Sequence, residues 1–136
     1  MVVNRIVFLL LVVLASFSCS LLMAQEKGNS VVEIGQALLK ADSKALSGMF
    51  IETLELETDN HKGTFSKSQA QMILRDWFQA NHPESYELRQ EGKTGNSLFL
   101  IGFLHCSTAT FRVYIMFDEQ KGKTGIHYLS LTKHEP

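Results

Sequence analysis

The sequence predicts an α+β domain, with helices ahead of an antiparallel sheet. Three stretches carry that prediction. In FSKSQAQMILRDWFQANHP, residues 65–83, Ala70, Ile73, Leu74, Trp77 and Phe78 recur at helical spacing as one broad apolar stripe. In TATFRVYIMF, residues 108–117, Phe111, Val113, Ile115 and Phe117 alternate with Arg112, Tyr114 and Met116, the period of a strand with one apolar face. LFLIGFL, residues 98–104, is apolar on both faces and so belongs inside a sheet covered on both sides.

The chain opens with Arg5 and an apolar run from Ile6 to Leu14, and Ala24 stands before the polar start at Gln25. That is the layout of a signal peptide over residues 1–24, with cleavage before Gln25 and export by the Sec route to the periplasm or beyond. Ser16, Ser18 and Ser20 interrupt the run, which argues against a transmembrane anchor. Cys19 raises lipid attachment, but Ser16-Phe17-Ser18 is a poor lipobox.

Residues 25–29 are polar and read as a flexible N-terminus, leaving 30–136 as a single domain. Ser30-Val31-Val32-Glu33 has capping-box spacing, and Val31, Ile34, Ala37 and Leu38 form a short helical face. Asp42 is placed to cap a second helix with Ala45, Leu46, Met49 and Phe50 inward. Residues 53–58 alternate, with Leu54 and Leu56 inward and Glu55 and Glu57 outward, and residues 59–63 read as a turn. Ser66 and Gln69 form the capping box of the long helix, which Pro83 stops. Four strands follow at 86–91, 98–104, 111–117 and 126–132, with turns at Gly95-Asn96, 107–109 and 120–122. One long helix and two short ones can cover only one face of such a sheet. The second cover is a curled sheet, a partner chain, or both.

Composition narrows the function classes. Without residues 1–24 the chain loses only Arg5, leaving 12 basic against 14 acidic residues, with no basic run to hold a phosphate backbone. Nucleic acid is not an expected partner. Cys106 is then the one remaining cysteine, so no internal disulfide forms, and its place after an apolar run suggests a buried, inert thiol. His61, His82, His105, His127 and His134 share no metal-ligand spacing, and no metal or cofactor is expected.

The order of elements resembles the cystatin roll of nuclear-transport-factor-two-like (NTF2-like) and SnoaL-like proteins, in which a curved antiparallel sheet wraps N-terminal helices into a cone. The stretches ADSKALSGMF, TFSKSQAQMILRDWF, YELRQEG, LFLIGFL and TFRVYIMF also resemble a family of short exported Bacteroidota proteins classed as a domain of unknown function. The resemblance spans the mature chain and implies fold and compartment, not chemistry. That family often carries a histidine where Gln90 stands here, so any role of that histidine is missing from this chain.

The candidate ligand-binding or interface residues are Arg112, Tyr114, Met116, Tyr128 and Gln90. Arg112, Tyr114 and Met116 share a strand face, and Tyr128 and Ser130 join them if the last hairpin keeps register. A guanidinium flanked by phenols can hold a carboxylate or sulfate while the rings stack on the rest of a ligand. The competing expectation is structural, with Arg112 paired to Glu87 or Glu91. No Asp–His pair falls on one inward face, so no catalytic residues are assigned. The expected function is a binding module for a small molecule or protein, homodimeric through its sheet. The alternatives are an isomerase- or dehydratase-like enzyme working inside the cone, and a structural or inhibitory partner protein.

Overall fold

The computed structural model describes residues 2–7, 30–120 and 123–136. The signal-peptide cleavage site, Cys19 and residues 25–29 lie outside the described residues, as does the tip of the 120–122 turn. The chain divides into two compact units, Met1–Glu33 and Ile34–Pro136. In the first, residues 2–7 and 30–33 are helical. Ser30 is the first of the described helical residues there. No helix among the described residues is long and apolar enough to cross a membrane.

The second unit begins with α1 (34–39), whose Ile34, Ala37 and Leu38 are buried as their spacing predicts. α2 (Ser43–Ser47) is shorter than expected. Asp42 does cap it, accepting from the Ala45 amide at 3.0 Å. The helix then ends at Gly48, Met49 lies in the turn, Phe50 opens the first strand, and Ala45 faces solvent. β1 (Phe50–Glu57) buries Leu54 and Leu56, and its outward Glu55 is exposed.

The 59–63 turn is also corrected. β2 (Lys62–Ser66) begins inside it and pairs antiparallel with β1, from Glu57 opposite Lys62 to Thr53 opposite Ser66. α3 (Lys67–Asn81) has the predicted capping box: Ser66 Oγ accepts from the Gln69 amide, and Gln69 Oε1 accepts from the Ser66 amide at 3.1 Å. Ala70, Leu74, Trp77 and Phe78 are buried and Ile73 is half-buried. His82 caps the helix in the left-handed conformation, and Pro83 starts the next strand.

β3 (Pro83–Thr94), β4 (Ser97–Cys106), β5 (Thr110–Gln120) and β6 (Lys123–Lys133) form the expected meander, each longer than its hydrophobic run. The six-stranded sheet has the order β2-β1-β6-β5-β4-β3. It is antiparallel except where β1 meets β6, which is parallel. Register shifts in the β1–β6, β3–β4 and β5–β6 pairs mark bulges that bend it. The doubly apolar strand β4 is interior, flanked by β5 and β3.

The inner face is apolar. Leu100 and Leu104 of β4, Phe111, Val113 and Ile115 of β5, and Leu129 and Leu131 of β6 are buried there. Trp77 of α3 meets Phe111 edge-on, ring centroids 4.7 Å apart. Tyr86 of β3 occupies a slot that two glycines leave open. A Cβ at Gly102 would come within 2.9 Å of its ring and hydroxyl, and one at Gly35 within 3.1 Å of its ring. Burial there raises the Tyr86 pKa.

Candidate functional site

Strand pairing assembles the predicted site on the opposite face of the sheet. One row of neighbours runs Gly92, Phe99, Met116, Tyr128 and Glu55 across β3, β4, β5, β6 and β1. The next runs Gln90, Ile101, Tyr114, Ser130 and Glu57. The third runs Glu87, Phe103, Arg112 and Thr132. All five candidate residues therefore share one face. The last hairpin does not keep one register: a shift between Met116 and Phe117 makes His127 the extra residue and sets Tyr128 beside Met116 and Ser130 beside Tyr114.

Three residues were not singled out in the sequence: Phe99, Ile101 and Phe103, which are half-buried on this face. Their signal was present in the double apolarity of LFLIGFL, but only the β4–β5 register shows that they frame Arg112 and Tyr114. Phe99 lies over Gly92, where a Cβ would come within 2.8 Å of its ring. It also approaches Tyr114, centroids 6.3 Å apart, and Tyr114 meets Tyr128 edge-on at 5.7 Å. A continuous aromatic strip results.

The charges around the strip are mostly engaged. Glu87 does not pair with Arg112. It lies 3.3 Å from Arg89 Nε and 3.8 Å from His105 Nε2. The bulge between Leu88 and Gln90 supplies Arg89 as an extra residue, and its guanidinium sits 5.4 Å from the Phe103 ring centre. His134 packs on the same ring at 4.7 Å. On the β1 side, Tyr128 donates to Glu57 Oε2 at 3.1 Å, and Lys62 reaches Glu57 Oε1 at 3.4 Å. The Tyr128 pKa is raised by burial first and then by Glu57, against the opposing pull of Ser130 and Lys62.

Arg112 stands apart. Its guanidinium lies 5.6 Å from the Tyr114 ring centre, and among the described residues it makes no ion pair. The side chain is exposed. The arrangement can receive a carboxylate or sulfate at Arg112 while an apolar body lies along the strip.

Cys106 ends β4 half-buried, and its pKa is pushed up to about 11 by burial first and by nearby Glu84 second. Asp76 is exposed on α3 and pairs with Arg75 at 3.2 Å. Among the described residues no cluster of three or more His, Cys, Asp or Glu could hold a metal ion.

Residues 31–132 match the family model of a domain of unknown function, DUF4783. The chain belongs to that family. DUF4783 proteins of known structure share the fold. The one from Bacteroides ovatus is 21% identical, with a TM-score of 0.71 over 76% of this chain and 94% of its own. The one from Bacteroides fragilis is 25% identical, with a TM-score of 0.70 over 76% of this chain and 97% of its own. An NTF2-like protein of unknown function from Cytophaga hutchinsonii is 15% identical, with a TM-score of 0.54 over 76% of this chain and 86% of its own. No curated protein matches the chain. The α+β roll expected from the order of elements is thus the fold of the family and of NTF2-like proteins.

Proposed function

We propose that this DUF4783 protein is an exported binding module that docks its partner on the outer sheet face. One observation carries the reading: an exposed guanidinium with no ion pair among the described residues stands by Tyr114, bordered by the half-buried Phe99, Ile101, Phe103, Met116 and Tyr128. A face left to water is more often built from paired charges and small polar groups than from contiguous rings. Export rests on Arg5, the apolar run after it and the small Ala24 before Gln25.

Binding is favoured over catalysis by the character of the inner face. Its buried lining is Leu100, Leu104, Phe111, Val113, Ile115, Leu129 and Leu131, and His127 Nδ1, buried without a hydrogen-bond partner, is the imidazole atom that a proton-transfer reading would have to use. Proton abstraction inside the roll would call for a carboxylate or imidazole held away from water. Hydroxyl-radical footprinting of the protein kept in native cell extract tests the docking face. Tyr114, Phe99 and Met116 should be labelled several-fold less in extract than after denaturation, whereas Met72 on α3, 57% exposed, should change little. Labelling of Tyr114 and Met116 at the level set by their half-buried positions alone would reduce the face to a decorated wall.

A further inference from the structure

One corner of the docking face gathers cationic side chains around a ring. Beyond the row of Glu87, Phe103, Arg112 and Thr132, strand pairing sets Ser85, His105 and Thr110 side by side. The His134 amide extends that row by donating to the Thr110 carbonyl at 2.9 Å. Phe103 is the centre of this corner. Arg89 comes over its ring from β3, His134 packs on it from the end of β6, and Arg112 stands opposite it on β5. The bulge before Gln90 is what turns Arg89 onto this face. An aromatic ring positions a guanidinium but leaves its in-plane N–H donors open. Glu87 is the carboxylate paired here, and Arg89 and His105 share it. Arg89, Arg112 and His134 are exposed, and neither Arg112 nor His134 has an ion-pair partner among the described residues.

We propose that the occupant of this corner is an extended acidic segment of another protein, with two carboxylates on either side of one apolar side chain. The proposal rests on the docking-face reading above. Spacing gives the pattern. From β3 to the end of β6 is three strand spacings, about 14 Å. Alternate side chains of an extended chain repeat about every 6.8 Å, so its first and fifth residues lie about 14 Å apart with the third midway. A segment crossing the strands therefore sets its first carboxylate at Arg89 and its fifth at Arg112 and His134. Its third side chain, apolar, lands on the uncovered part of Phe103. The two charge-assisted contacts fix direction and position, and the ring supplies the apolar contact between them. A lone small carboxylate would satisfy Arg112 and leave the donors of Arg89 unused.

The probe is a capped pentapeptide with glutamate at both ends, leucine at its centre and serine between. Titrated into the isotope-labelled protein, it should give saturable NMR shifts at Phe103, Arg112 and His134 that weaken as salt is added. Arg112→Gln and Arg89→Gln should each weaken the peptide about tenfold, the second because it also leaves Glu87 unpaired beside an incoming carboxylate. Replacing both peptide glutamates by glutamine should cost at least as much, and that arm needs no protein variant to fold. Glutarate, which has two carboxylates and no apolar centre, should bind about tenfold more weakly than the peptide. No saturable shift at about 10 mM peptide overturns the inference. So does equal binding of glutarate or of the glutamine peptide. In native extract, the double variant Arg89→Gln with Arg112→Gln should raise footprinting of Tyr114 and Met116 to the level of the purified protein. Protection that survives the double variant, or that the purified protein already shows alone, also overturns the inference but leaves the docking reading standing with a different occupant. Free labelling of Tyr114 and Met116 in parent extract sinks the docking reading and the inference with it.

Discussion

Tyr128 and Glu57 stand on adjacent parallel strands, and the phenol donates to Glu57 Oε2 at 3.1 Å. This is a long-range polar contact holding β6 to β1, the one parallel seam in an otherwise antiparallel sheet. The hydrogen bond is partly open to water, so a double-mutant cycle of Tyr128→Phe and Glu57→Gln should give a coupling of about 0.5–1.5 kcal/mol. Urea unfolding measures it. Additive single effects would mean that this contact contributes nothing to the seam.

A second junction ties α3 to the β4–β5 turn. Asn81 Nδ2 donates to the Trp77 carbonyl at 2.9 Å, and Thr108 Oγ1 donates to Asn81 Oδ1 at 2.7 Å. Ser107 adds its hydroxyl to the Asn81 carbonyl at 3.0 Å. Asn81→Ala removes both side-chain bonds and should cost about 1–3 kcal/mol. Asn81→Asp keeps the acceptor for Thr108 and loses the donor to Trp77, so it should fall between. An alanine variant as stable as the parent would show that the turn is held without the Asn81 side chain.

Trp77 is 6% exposed, yet its indole Nε1 is buried with no hydrogen-bond partner. Two effects therefore oppose each other at this position. Trp77→Ala removes a ring packed on Phe111 and Phe78 and should cost about 3–5 kcal/mol. Trp77→Phe loses part of that packing but also removes an unsatisfied donor, so its cost should stay below about 1.5 kcal/mol. Equal losses in the two variants, read from denaturant midpoints, would mean that the indole nitrogen is satisfied by water in solution.

The contrast between α3 and β2 shows how far local pattern reaches. The α3 stripe, its capping box and its stop at Pro83 are all decided within the helix's own neighbourhood, so the sequence displays them. β2 has five residues, Phe65 as its only large apolar side chain and an edge position; it is a strand only because β1 lies beside it. Met49 and Phe50 continue a helical period past Gly48, but pairing with β6 captures Phe50 as a strand residue opposite Ile126. The parallel β1–β6 seam is likewise invisible to a period of two, which reports faces and not neighbours.

The candidate site was legible to the same extent. Arg112, Tyr114 and Met116 read as one face directly from alternation, whereas Tyr128 reaches Met116 through a bulge in the last hairpin that alternation does not display. Glu87 was lost to Arg112 because a bulge supplies Arg89 beside it. A bulge shifts the face by one residue and leaves the composition unchanged, so no periodic reading of YELRQEG could place Arg89 over Phe103.

The export expectation has a simple check. N-terminal sequencing of the protein taken from its own cells should begin at Gln25. Retention of residues 1–24 would sink the export reading, and a lipid-modified Cys19 would replace it with membrane anchoring.

Cys106 gives the last prediction. Its thiol stays protonated up to about pH 11, against an ordinary value of 9.0, because burial disfavours the thiolate and Glu84 adds a like charge. The thiolate is the reactive form, so at pH 8 alkylation by iodoacetamide should be about a hundredfold slower than for an unstructured peptide thiol. The pH–rate profile should have its midpoint near pH 11 rather than pH 9. The same shift links to stability. A group whose pKa is higher when folded contributes stability that is intact below its unfolded value and disappears as pH rises through its folded value. The Cys106 contribution should therefore be whole below pH 9 and lost between pH 9 and about 11. Glu84→Gln removes the smaller of the two causes, so it should shift the alkylation profile toward lower pH without returning it to that of a free thiol. Rapid modification of Cys106 at pH 8 would show instead that this end of β4 opens readily from its pairing with Pro83.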